Sequence, residues 1–131
     1  MPEQHPQDPA FQNGLATRAQ VMGQAFVDKA FAGATDFTLP LQHHITRAAW
    51  GDVWQREGLD LKTRSLITVA MLTALGKQHE LKGHVRGALN NGATAQEIQE
   101  VLLHAAIYCG VPSAVEAFRA AAEVVEAPST T

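Results

Sequence analysis

The sequence predicts an all-α fold of about six helices. Apolar residues recur at helical spacing through most of the 131 residues. Capping residues, prolines and glycines punctuate that pattern at helix-length intervals. No segment sustains the period-two alternation of a half-buried strand. The first helix is expected from about Pro9 to Ala32, with a break near Gly23. The second follows Thr38, carries Pro40 in its first turn, where no N–H is needed, and runs to about Gln55. Asp60 is placed to cap the third, which ends before Gly76. The fourth covers about Lys77 to Asn90, with Gly92 where the left-handed turn after a helix favours glycine. Thr94 and Glu97 have capping-box spacing and open the fifth, which stops at Gly110. Pro112 and Ser113 open the sixth, which reaches about Val125. Residues 1–8 and 126–131 read as loose tails of a single domain spanning 1–131, without linker or repeat.

Composition excludes several classes of function. Acidic and basic residues are mixed along the chain, the formal net charge is -3, and no basic block suggests nucleic acid. No Lys/Arg-rich amphipathic helix suggests a membrane surface. The most apolar run, Leu66 to Leu75, is far short of the roughly 20 residues of a membrane span. The N-terminal MPEQHPQDPA lacks the charged-then-apolar pattern of a secretory signal, so a cytoplasmic protein is expected. Cys109 is the only cysteine, which rules out an intramolecular disulfide and a CxxC redox pair. Its neighbours Ile107, Tyr108 and Gly110 carry no positive charge, predicting a buried, unreactive thiol. The third helix is apolar nearly all round, which means burial on most sides. In so short a chain that favours a homo-oligomer over a monomer with a central helix.

The densest polar cluster runs from Lys77 to Arg86. Glu80 and His84 are four apart and share a helix face, and Lys77 is expected one turn earlier on the same stripe. The stripe borders an apolar face of Leu81, Val85, Ala88 and Leu89. It reads either as a solvated face or as the wall of a pocket in which an acid and a histidine exchange protons. His79, Glu80, His84, His104 and the pair His43 and His44 do not form a metal-binding spacing, because adjacent helical residues point about 100° apart. Arg47 and Trp50, three apart, are expected near one face. Trp50 and Trp54, four apart, read as core more than as a ligand platform. Arg64 lies in the apolar third helix, where a guanidinium needs a carboxylate, either from the protein or from a substrate. A phosphate loop, a nucleophile elbow and a dinucleotide fingerprint are all missing from the sequence.

Five stretches carry a resemblance: ATDFT (34–38), ITRAAWGDVW (45–54), TRSL (63–66), HVRGALNNG (84–92) and IYCGVP (107–112). In this order they resemble the carboxymuconolactone decarboxylase family, within the alkylhydroperoxidase-like superfamily. The second and fifth stretches resemble the decarboxylase branch, whereas AxxNG followed by EI at 97–98 is shared more widely. The resemblance implies an alkylhydroperoxidase-like helical bundle assembled as a homo-oligomer, a hexamer or trimer. It also implies decarboxylation of 4-carboxymuconolactone to 3-oxoadipate enol-lactone in protocatechuate catabolism, with no cofactor and no metal. The superfamily's peroxidase cysteines align with Lys77 and Glu80, and the following histidine with His84. Its glutamate relay aligns with Ser65, so thiol peroxidase chemistry is excluded by residue identity.

For such a lactone dicarboxylate, Arg47 and Arg64 are the candidate carboxylate holders, with Trp50 beside them. Lys77 or His84 would stabilise the growing oxyanion. His84 would donate the proton, with Glu80 orienting it or relaying the proton. A decarboxylase or isomerase of a related lactone, and a non-catalytic oligomeric binding or stress protein, are the alternatives on the same fold.

Overall fold

The computed structural model describes residues 8–128, and its described residues form helices and turns with no strand. They divide into two compact units, one ending at Asp60 and the other beginning at Leu61. The described part holds seven α-helices. None of them is long and apolar enough to cross a membrane.

The first unit contains α1 (Pro9–Met22), α2 (Gln24–Ala32) and α3 (Leu39–Ile45), followed by a π-helical turn (Thr46–Trp50) and a 3-10 turn (Val53–Gln55). The expected first helix is two helices, because Gly23 adopts φ 98°, outside helical space. Asp8, counted with the loose tail in the sequence reading, is ordered: its carboxylate accepts the Ala10 N–H at 3.0 Å and caps α1. The rest of the expected N-terminal tail lies outside the described residues. The expected second helix is also subdivided, since the chain widens into the π turn at Thr46.

One side of α1 buries Phe11, Gly14, Arg18 and Val21, spaced three or four apart. It lies against the π turn so closely that a Cβ on Gly14 would stand 1.9 Å from the Thr46 carbonyl oxygen. A Cβ on Gly51 would stand 2.0 Å from the Ala10 carbonyl oxygen. The rings of Phe11 and Phe31 pack on His43, with centroids 5.2 Å and 5.9 Å away.

The second unit contains α4 (Leu61–Leu75), α5 (Gln78–Asn90), α6 (Ala95–Cys109) and α7 (Val111–Val125). The expected stops hold: Gly76, Gly92 and Gly110 all take positive φ, between 70° and 101°. Thr94 and Glu97 form the expected capping box, with the Thr94 hydroxyl accepting the Glu97 N–H at 3.0 Å. Val69, Leu81, Val85, Ile98 and Leu102 are at most 1% exposed and centre the core. Burying an aliphatic side chain of this size contributes roughly 1.5–3 kcal/mol. Ala114, Ala117, Ala120 and Ala121 line the buried side of α7, and their small side chains let it pack closely on α5 and α6. Glu126–Pro128 follow α7 as turn and bend, and the rest of the expected C-terminal tail lies outside the described residues.

One expectation is corrected here. Cys109 is exposed, because the last turn of α6 turns Ile107, Tyr108 and Cys109 outward together. The apolar α4 turns Ser65, Val69 and Thr73 inward and leaves Ile67, Met71 and Leu75 exposed.

Candidate active site

The α5 helix carries the candidate acid and histidine. Leu81, Val85 and Ala88 are buried and Leu89 partly so, which leaves Glu80 on the exposed side and His84 half-buried beside the core. Glu80 sits in the first turn, where a carboxylate complements unpaired backbone N–H groups. The Nδ1 atom of His84 is shielded from solvent.

Lys77 departs from the expected stripe. It is the residue before α5, with φ -95° and ψ 76°, so helical periodicity does not set its side-chain direction. Its backbone carbonyl accepts the Leu81 N–H at 2.9 Å, and its side chain is exposed.

On α4, Arg64 is half-buried with its Nε shielded. The next residue, Ser65, is 0% exposed and accepts the Asn91 side-chain amide at 2.9 Å. Asn91 also donates to the Leu61 carbonyl at 3.3 Å and so ties the start of α4 to the end of α5. The position where the superfamily resemblance places a proton-relaying glutamate is thus a structural hydroxyl in this chain.

In the first unit, Arg47 and Trp50 do not share a face. Trp50 is 5% exposed and stacks on Trp54 at 4.4 Å, which places it in the core and not on a ligand surface. Arg47 is exposed, and its Nε donates to Asp8. The wider π turn rotates residues three apart away from each other, which helical spacing did not anticipate. Among the described residues, the hydrogen bond of the Arg47 guanidinium runs from Nε to Asp8. His43 and His44 divide the same way, the first buried and the second exposed. Among the described residues, no three His, Cys, Asp or Glu side chains are grouped to hold a metal ion.

Sequence reasoning missed two features. Arg18 is a charged residue at a core position of α1, 4% exposed, and its Nη1 donates to the Thr46 hydroxyl at 3.0 Å. Burial pushes its pKa below the ordinary arginine value. The second unit also contains a groove of about 710 Å³, where apolar Leu66, Ala70 and Val101 meet Glu100, His104 and Tyr108. The last three are spaced four apart, a signal present in the sequence. A second groove of about 410 Å³ lies between α6 and α7. Neither groove is lined by Lys77, Glu80, His84 or Arg64.

Comparison with known proteins matches residues 40–123 to a model described as the Carboxymuconolactone decarboxylase family. The chain is 50% identical over 107 residues to a nitrosuccinic acid decarboxylase of Metarhizium robertsii, covering 82% of this chain and 75% of that protein. It is 42% identical over 114 residues to a 4-carboxymuconolactone decarboxylase of Acinetobacter baylyi, covering 87% and 85%.

Proposed function

We propose, from the premise that this chain belongs to the carboxymuconolactone decarboxylase family, that it is a carboxy-lyase whose substrate supplies its own electron sink. The observation that carries this reading is its similarity, over most of both chains, to two decarboxylases named for different substrates. In a 4-carboxymuconolactone, breaking the bond to the carboxylate sends the electron pair through the ring double bond onto the lactone carbonyl oxygen. In a nitrosuccinate, a carboxylate on the nitro-bearing carbon leaves its pair on the nitro oxygens. Both substrates leave as carbon dioxide plus a stabilised anion that takes up one proton, and neither requires a bound electron acceptor.

The residues then divide the work. Arg47 and Arg64 hold carboxylates, and Lys77 or His84 stabilises the growing oxyanion. His84 delivers the proton, with Glu80 orienting it or relaying the proton from solvent. The half-buried His84 one turn from Glu80 supports this division. Trp50, given its burial, holds the turn that carries Arg47 and is not a ligand contact. The lactone, 4-carboxymuconolactone, is the first substrate to offer, with 3-oxoadipate enol-lactone as product. The 50% identity to the nitrosuccinic acid enzyme favours the nitro dicarboxylate as the second. The active form is a homo-oligomer, trimer or hexamer, a reading supported by exposed Ile67, Met71, Leu75, Leu103 and Ile107 on one unit.

The test offers each substrate to chelator-treated protein and follows carbon dioxide, with the reaction run in deuterium oxide. Deuterium beside the lactone carbonyl, or on the nitro-bearing carbon, identifies the protonated position. His84→Ala should lower the rate by about 10²–10⁴-fold and Glu80→Gln by less. Wild-type rates in both variants would overturn the residue assignment. No turnover of either substrate would move the chain to a related lactone or a binding role.

A further inference from the structure

Arg18 is buried in the first unit, and no carboxylate among the described residues answers its charge. Among the described residues, ion pairs join Arg47 to Asp8 in the first unit, and Lys62 to Glu97 and Lys82 to Glu123 in the second. Arg18 has one hydrogen bond, from Nη1 to Thr46 Oγ1 at 3.0 Å. Its Cζ stands 5.9 Å from the ring centroids of both Phe26 and Phe31, at the outer limit of a cation–π contact. A guanidinium carries five N–H donors in a fixed fork, and one hydroxyl and two ring faces leave most of them unused. A buried guanidinium ordinarily faces a carboxylate, because an isolated buried charge is strongly unfavourable.

The Thr46 side has a complementary donor. Its hydroxyl accepts from Arg18, and its own proton is donated to no described residue. Thr46 opens the π turn, a departure from α-helical winding that is frequent at functional sites. Gly14 and Gly51 bring α1 and that turn into backbone contact, so the pair is positioned by main chain as well as by side-chain packing.

We infer that Arg18 and Thr46 form a carboxylate-binding site within the first unit. The unused edge of the Arg18 fork takes the two oxygens of a small organic carboxylate, and the Thr46 hydroxyl donates a further bond. The ligand class rests on the proposed function, in which the substrate carries two carboxylates. Phe26, 42% exposed, is the ring that stands between the Arg18 guanidinium and solvent-facing surface, 5.9 Å from Cζ.

The test uses the intact chain and succinate, a dicarboxylate without an electron sink, so that binding is read without turnover. Calorimetry at low ionic strength should show binding, and the Nε–Hε resonance of Arg18 should shift along the same isotherm. Arg18→Lys keeps the charge but loses the fork and should weaken binding at least tenfold. Thr46→Val should weaken it several-fold. Arg119→Lys, the same substitution at an exposed position of α7, should leave it unchanged. No binding, an unmoved Arg18 resonance, or undiminished affinity in both the Arg18 and Thr46 variants would overturn the site. The resonance is read on the wild-type protein, so a folding defect in a variant does not decide the outcome. Succinate binding at Arg18 without turnover of either substrate would sink the decarboxylase reading and keep this site; turnover without binding at Arg18 would do the reverse.

Discussion

In the unit ending at Asp60, main chain meets main chain at Gly14 and Gly51, and the interior holds Arg18, His43 and Thr46 among aromatic rings. In the unit from Leu61 onward, the interior is aliphatic, with Leu81, Val85, Ile98 and Leu102 closed over by an alanine-lined helix. The first interior depends on shape and on polar side chains set among rings, and the second on the volume of apolar side chains. The two should therefore tolerate opposite kinds of substitution: the first resists an added methyl, and the second resists a removed one.

The largest effect is expected in the aliphatic unit. Leu102→Ala removes a side chain that is 1% exposed and should cost about 2–5 kcal/mol, read as a lower urea midpoint. Next comes Gly14→Ala, whose new Cβ would overlap a backbone oxygen that cannot swing away. It should cost about 3 kcal/mol, the upper end for overpacking, whereas Gly58→Ala, with nothing within 4 Å of its Cβ, should be near neutral. A tolerated Gly14→Ala would erase the contrast between the units.

The smallest effect is electrostatic and sharpens the second unit alone. The Glu97 carboxyl is held below its ordinary value of 4.5, first by its hydrogen bond with Lys62 and then by the Thr94 N–H. With the folded value lowered, the unfolded chain takes up the proton first as pH falls. The stabilisation is therefore full above the ordinary value and is lost as pH drops through 4.5 towards the lower folded value. The melting-temperature gap between wild type and Glu97→Gln should be present at neutral pH and close in that acid window. A gap unchanged by acid would show that the cap acts without charge.

Features set by neighbouring residues were legible in the sequence. The capping box at Thr94, the glycine stops at Gly76, Gly92 and Gly110, and the apolar side of α5 all depend on contacts within a turn or two. Features set by distant contacts or by a change of winding were not. The π turn at Thr46 shifts the phase of the helix without changing its composition, so Arg47 and Trp50 diverge. Arg18 reads as a surface residue until Thr46, 28 positions away, is brought to its guanidinium. Lys77 fits the stripe by counting, but the turn after Gly76 keeps it outside helical space. Of the candidate site, the placement of Glu80 and His84 one turn apart on one helix was readable, whereas spacing left open whether that stripe is a solvated face or a pocket wall.

Cys109, the chain's only cysteine, is exposed and lines the groove that holds His104 and Tyr108. A thiol-reactive fluorophore would attach there at one defined position, with no engineered residue needed. Its emission would follow the polarity of whatever enters or covers the groove, turning an accident of placement at the end of α6 into a built-in optical probe.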